Sequence, residues 1–313
     1  MTISRIHPGI LAAFAAIYIL WGSTYFAIAI ALPSIPPLLL MGSRSLVGGV
    51  ILFLYARRQG APTPPRSWLI AGICGLLFFV GCHGVLAFAQ QRVPSGVAAI
   101  ILATIPFWIA MIGFVSPAGE SARLRTLALL CPGLAGVALI AWHELTAGQA
   151  GTHLSDLALL LAASLSWALG SVLSERLASK ETRTIAVSGM ALIIGGATLL
   201  GISAAGGEFY RFKFAELSPH SVFAWIYLTV AGTVVAFGAY VWLLERVSPT
   251  FVATYTFVNP IIAVGLGWAV LGESLDAAML SGGALVLASI AGLLVFDPRP
   301  VKKDLGHETV HQN

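Results

Sequence analysis

Apolar residues fall along the chain in ten runs of roughly twenty residues, separated by short polar connections. The runs cover 9–31, 37–56, 67–89, 94–115, 124–142, 155–174, 185–204, 221–243, 250–271 and 276–296. About 20 mostly apolar residues carry a helix across a hydrocarbon layer, so each run predicts one membrane-spanning helix. Pro, Gly and most charges gather between the runs. The longest connection is 205–220, and a polar tail follows from Asp297. The first run also shows marks of a secretory leader, with Arg5 ahead of it and Ala27-Ile28-Ala29 inside it. Its apolar stretch is longer than the roughly 7–15 residues of a leader, and it carries Trp21 and Tyr25, so it is read as a retained span.

Composition agrees with this pattern. Of 313 residues, 58% are hydrophobic and only 10% charged, and the mean hydropathy is +0.91. A soluble domain carries about 25% charged residues, so a soluble enzyme or a nucleic-acid binder is excluded and the lipid bilayer is the expected surrounding. Cys74, Cys82 and Cys131 all lie in apolar runs, which argues against a disulfide framework. No CxxC or HExxH spacing occurs, and no cofactor or metal is expected.

Lys and Arg set orientation, because they concentrate on the cytoplasmic side. With the N-terminus inside, thirteen of the seventeen fall on inner segments. The other four are Arg44, Arg92, Arg211 and Lys213. The count predicts both termini in the cytoplasm and an even number of spans.

One half of the chain repeats the other. Residues 92–106 read RVPSGVAAIILATIP and residues 246–260 read RVSPTFVATYTFVNP, with Pro fourteen positions after Arg in each. Gly119-Glu120-Ser121 returns as Gly272-Glu273-Ser274, and Gly42 with Gly48-Gly49 returns as Gly189 with Gly195-Gly196. Trp21 matches Trp167, 146 residues on, and Gly136 matches Gly292, 156 residues on. The sequence thus predicts two related five-helix units, 9–142 and 155–296, followed by a cytoplasmic tail, 297–313. Five is odd, so the second unit enters the membrane upside down. The expected fold is an all-α membrane protein of ten transmembrane helices in two inverted repeats. Such units can exchange tilts and so expose a midplane site to either side in turn.

Leu20-Trp21-Gly22-Ser23-Thr24-Tyr25 resembles the opening motif of the EamA-type branch of the drug/metabolite transporter superfamily. The Pro and Gly-Glu segments at spans four and nine, and the Arg in span two, here Arg44, resemble the same family. The resemblance runs from about residue 10 to 296. It implies a carrier in a bacterial cytoplasmic membrane for a small metabolite, the family's substrates including amino acids and sugars. It also implies that spans one to four and six to nine enclose the cavity, with spans five and ten at the periphery.

Several residues are candidates to touch substrate. Arg44 lies ~10 Å into span two at 1.5 Å per residue. It either pairs with a substrate carboxylate or snorkels to the headgroups. His83, the one histidine within a span, is either a proton carrier or a neutral, hydrogen-bonded core residue. Phe79, His83 and Gln90 share helical spacing, while Gln90 and Gln91 end the span where water can solvate them. Trp21, Tyr25, Trp108, Trp167, Tyr240, Trp242 and Tyr255 suit either a cavity for an amphipathic solute or packing against lipid. Asn259 needs a partner for its amide, and Ser23, Thr24, Ser166 and Ser171 serve either the cavity or helix contacts. Pro106 and Pro260, mid-span in both halves, are expected hinges.

Absences narrow the function. No Asp or Glu lies well inside a span, which removes a carboxylate trap for cationic drugs and an acidic proton relay. All four lysines are in loops or the tail, which excludes a retinal Schiff base. His143, Glu144, His153 and Asp156 cluster near one loop but match no metal-site spacing. The expected function is a secondary carrier of small polar or zwitterionic metabolites, foremost an amino-acid exporter. A sugar or drug-like solute is the alternative, and a membrane-embedded lipid enzyme lies further off. Gly136, Gly282, Gly283 and Gly292 mark a helix contact on the peripheral spans, which makes a homodimer a candidate assembly.

Overall fold

The structure is a computed structural model and describes residues 8–113, 120–146, 152–177, 184–244, 246, 252 and 255–296. The tail from 297 and the motif residue Gly119 lie outside the described residues. Among those described, all regular structure is helical and there is no strand. Six helices are long and apolar enough to cross a membrane. They are α1 (Pro8–Ala31), α2 (Pro37–Arg58), α3 (Pro65–Ala89), α6 (Leu154–Leu177), α7 (Thr184–Ala205) and α8 (Pro219–Tyr240, running on to Leu244). The remaining runs form α4 (Ser95–Leu102 and Ile105–Gly113), α5 (Glu120–Thr146), α9 (Tyr255–Leu266 and Gly267–Leu271) and α10 (Ala277–Phe296). Their apolar stretches are shorter: Ser95–Ile109, Cys131–Ile140, Val258–Leu271 and Ala277–Ser289.

Proline places several helix starts. Pro37, Pro65 and Pro219 stand in the first turn of α2, α3 and α8, where a missing N–H loses nothing and the fixed φ favours entry. The two candidate hinge prolines differ. Pro106 follows a break in α4 at Ala103–Thr104, whereas Pro260 sits inside a continuous segment of α9. A break in the helix therefore stands beside the first proline and not beside the second. A second interruption, at Ser23 in α1, had no proline to announce it. The 205–220 connection is not a plain loop: it holds a helical turn, Glu208–Arg211, and a 3-10 turn, Phe214–Glu216.

Helices pack in matched couples. α2 lies on α7, and α5 lies on α10. α1 packs on α8 and α9, while α6 packs on α3 and α4. The α2–α7 contact is nearly backbone to backbone. A Cβ on Gly49 would lie 2.8 Å from the Ile193 amide nitrogen, and one on Gly196 would lie 2.6 Å from that of Leu46. Gly49 thus meets the Gly189 end of α7 and Gly42 meets the Leu200 end, so the two helices run antiparallel. α5 and α10 also run antiparallel: Gly133 faces Ser289, and Gly136 faces the Gly282 carbonyl and Leu285. Of the glycines that suggested a helix contact, Gly136, Gly282 and Gly292 join α5 to α10 within one chain, and Gly283 faces Ile100 of α4. Small residues allow this approach, which adds dispersion contacts where lipid offers no hydrophobic gain.

This packing sets a prediction. Gly49→Val places methyl groups against the α7 backbone and lowers stability by ~1–3 kcal/mol. Gly201→Ala, whose Cβ would meet nothing within 4 Å, leaves stability equal or higher by up to ~1 kcal/mol. Thermal melts in detergent check the pair, and equal melting temperatures for wild type and Gly49→Val would refute the close contact.

Candidate functional site

Among the described residues, a cavity opens between α1, α2, α3, α4, α6 and α9. α1 contributes Trp21, Thr24, Tyr25 and Ile28. Their spacing of three, four and seven residues is one helical stripe. α2 contributes Arg44, α6 contributes Trp167, and α9 contributes Tyr255 and Asn259. Cys82, His83 and Leu86 enter from α3, and Leu102 and Ile105 from the break in α4.

Arg44 is the one charged residue on the lining. It is only 5% exposed, so it is turned inward instead of snorkelling. Its Nε and Nη1 have no hydrogen-bond partner among the described residues, and neither do His83 Nδ1 and Asn259 Oδ1. Buried polar atoms are nearly always paired, and an unpaired buried charge is the costlier case. Donors on Arg44 and an acceptor on Asn259 therefore share a cavity without partners of their own.

Aromatic rings form the walls. Trp21 stands 4.9 Å from Tyr255 and 6.2 Å from Phe237, ring centre to ring centre. Phe237 meets Phe79 at 6.3 Å, Phe79 meets His83 at 5.4 Å, and His83 meets Trp167 at 5.2 Å. The chain of rings links the matched tryptophans of the two halves across the cavity.

Two of these walls rest on π-helical segments, Leu76–Gly84 in α3 and Leu228–Val235 in α8. Such a segment shifts the hydrogen-bond register and leaves carbonyls available to side chains. Ser166 Oγ of α6 donates to the Leu77 carbonyl at 2.8 Å. Trp21 Nε1 of α1 donates to the Gly232 carbonyl at 3.0 Å. Each matched helix is thus fastened to the π segment of the opposite half, and the α3 segment presents Cys82 and His83 to the cavity.

Seven of the nine residues singled out from sequence meet here: Trp21, Tyr25, Arg44, His83, Trp167, Tyr255 and Asn259. Two do not. Trp108 donates its Nε1 to Ser164 Oγ at 2.8 Å and fastens α4 to α6. Tyr240 stands one layer behind, 5.1 Å from Trp21 and 6.1 Å from Tyr255. Of the four small polar candidates only Thr24 lines the cavity. Ser23 instead bonds the Tyr227 hydroxyl at 2.6 Å, and Ser171 bonds the Trp167 carbonyl at 2.8 Å. Gln90 is buried, not solvated, and donates to the Tyr25 carbonyl at 3.1 Å. Sequence reading missed Cys82, Leu86 and Ile28, although the stripes through Phe79 and Trp21 pass over them. It had no signal for the π segments.

Carboxylates at the span ends are occupied in structure. Glu208 accepts the Leu39 N–H at 2.8 Å and Glu273 accepts the Ser95 N–H at 2.7 Å, capping the starts of α2 and α4. Asp156 is buried and grips Arg92 with both oxygens; that hydrogen-bonded carboxylate holds the Arg92 guanidinium above its ordinary range. His143 Nε2 pairs with Asp276 at 3.0 Å. The loop cluster foreseen around His143 and Asp156 is thereby divided between two separate partners, and the Glu144 side chain lies outside the described residues.

Known proteins match most of the length of the chain. The profile of the EamA-like transporter family matches twice, over residues 7–142 and 154–295. The inner membrane transporter YedA of Escherichia coli (strain K12) is 34% identical over 304 residues, spanning 92% of this chain and 93% of its own. The transporter YoaV of Bacillus subtilis (strain 168) is 26% identical, with 88% and 93% spanned, and protein PecM of Dickeya dadantii (strain 3937) is 27% identical, with 86% and 87% spanned. A solved crystal structure, 20% identical, superposes with a TM-score of 0.64 over 92% of this chain and 96% of that one, which shows the shared fold. The chain is a multi-pass inner-membrane protein, a transporter and not an enzyme, and it belongs to the EamA-like transporter family.

Proposed function

We propose that the protein is a secondary carrier of ten membrane helices in two inverted five-helix units, 9–142 and 155–296, and that it exports neutral amino acids by alternating access. The two family matches and the antiparallel packing of equivalent helices, α2 on α7 and α5 on α10, support the inverted arrangement. The orientation with both termini in the cytoplasm rests on the charge count. The alternation of the spans is supported by four contacts, Glu208 to Leu39, Glu273 to Ser95, Arg92 to Asp156 and His143 to Asp276, each joining residues that it puts on one common side.

Arg44 carries the substrate reading. A buried guanidinium with two unpartnered nitrogens, in a cavity without an acidic lining residue, suits a carboxylate. In apolar surroundings that pairing is stronger than in water. Asn259 Oδ1 can accept from the substrate ammonium, and the faces of Trp21, Tyr255 and Trp167 attract the same cation and cover an apolar side chain. Coupling is exchange or facilitated diffusion, since no carboxylate lines the cavity to relay protons; proton coupling through His83 is the alternative.

Counterflow in proteoliposomes tests this. Labelled neutral amino acids should exchange, with no dependence on a pH gradient. Their decarboxylated amines should not compete. Arg44→Lys should weaken substrate affinity by at least about tenfold, since a charge-assisted hydrogen bond contributes ~1.5–3 kcal/mol. Exchange of a sugar that is indifferent to Arg44→Lys would sink the amino-acid reading.

Stability gives a second check. Arg44→Met removes a buried charge that no described residue pairs with, so the variant without substrate should melt higher than wild type. A lower melting temperature would mean that Arg44 is a structural tie.

A further inference from the structure

The connection between α7 and α8 is ordered by polar ties yet shows aromatic rings to the outside. Gly207, at φ +72°, ends α7 in a conformation that suits glycine. Glu208 then turns inward, accepting from the Leu38 and Leu39 amides at 3.4 and 2.8 Å and from Ser203 Oγ at 2.8 Å. Arg211 Nη2 donates to the Gly206 carbonyl at 3.0 Å, and Lys213 Nζ pairs with Glu216 at 2.8 Å. Phe212 packs against the core. With the backbone so held, Phe209, Tyr210 and Phe214 stand outward at 48%, 90% and 82% exposure.

Water is a poor surrounding for these rings, since removing apolar ring surface from water is favourable. They continue the apolar outer surface of the spans: Ile202 in the last turns of α7 and Phe223 and Ile226 in the first turns of α8 are exposed as well. Two of the four Lys and Arg residues off the inner side, Arg211 and Lys213, lie among the rings. Arg211 makes no ion pair among the described residues. Aromatic rings interleaved with cations at the level where spans end fit a phospholipid interface, the rings at the headgroup–acyl boundary and the cation at lipid phosphate.

We propose that Phe209–Phe214 is an interfacial anchor inserted in the headgroup layer of the adjoining leaflet, with Tyr210 and Phe214 in the acyl boundary and Arg211 at a lipid phosphate. This goes beyond the carrier reading and does not depend on the substrate. It ties the first turn of α2 to the bilayer surface through Glu208.

Nitroxide depth measurement tests it. On a Cys131→Ser background, with Cys74 and Cys82 buried, single variants Tyr210→Cys, Phe214→Cys and Glu216→Cys are spin-labelled. They are placed in nanodiscs of phosphatidylethanolamine and phosphatidylglycerol. Power saturation should show oxygen dominating at 210 and 214, and a water-soluble nickel chelate dominating at 216. Nickel dominating at 210 and 214 would overturn the anchor by placing the rings in water. Low access to both reagents, with spin–spin broadening between chains, would overturn it in favour of a second copy covering the patch. Arg211→Glu should lose the melting-temperature gain that phosphatidylglycerol confers on wild type; an unchanged gain would overturn the phosphate contact.

Discussion

The close approach of α2 to α7 constrains everything else in the molecule. Gly42 and Gly49 on one helix face Gly196 and Gly189 on the other, and no side chain fits between the backbones. Their neighbours serve the flanking contacts. Gly48 faces Thr233 of α8, and Gly195 faces Gly75 and Phe79 of α3. A single glycine triplet, used in both halves, therefore fixes a central antiparallel pair and seats a π segment on each side of it. The cavity lies beside α2, which lends it Arg44.

The cavity inherits its chemistry from this frame. Arg44 sits between Gly42 and Gly48 on α2, so a rigid, closely packed helix carries the one charge of the lining. The π segment of α3 seated by Gly195 brings Phe79, Cys82 and His83 to the opposite wall. Acidic residues stay at the helix ends, where Glu208 and Glu273 satisfy the open amides of α2 and α4. Their placement does two things at once: it caps helices that have no side-chain cap of their own, and it keeps negative charge away from Arg44.

Much of this was legible in the sequence, and the limits have physical causes. The ten runs could be read because hydrocarbon demands long apolar stretches. The gathering of Trp21, Arg44, Trp167 and Asn259 could be guessed because polar and amphipathic groups inside a span need a reason to be there. Trp108 and Tyr240 could not be separated from them, since Trp and Tyr satisfy a buried helix contact as readily as a ligand wall. Gln90 was misread because a position at a span end is buried or wet depending on which helix lies beside it, and α1 lies there. The π segments and the Glu208 cap had no local signature at all. One is a shift of register within a helix, and the other joins residues about 170 positions apart.

Movement in a carrier of this build must occur where contact is replaceable. α2 and α7 interlock through backbone, and α5 and α10 do the same at the side, so neither pair can slide without clashes. α1 and α6 are held differently. Each crosses to the opposite half through a side-chain bond to a π-segment carbonyl, Trp21 to Gly232 and Ser166 to Leu77, backed by aromatic contacts that tolerate rotation. One such hydrogen bond contributes ~0.5–1.5 kcal/mol net, which thermal motion and ligand binding can offset. Both tryptophans of the matched pair lie on these two helices and on the cavity wall. On the proposed exchange reading, a ligand bridging Arg44 of the close pair to Trp21 or Trp167 would change the balance between α1 and α6 directly, which is the coupling that reading needs.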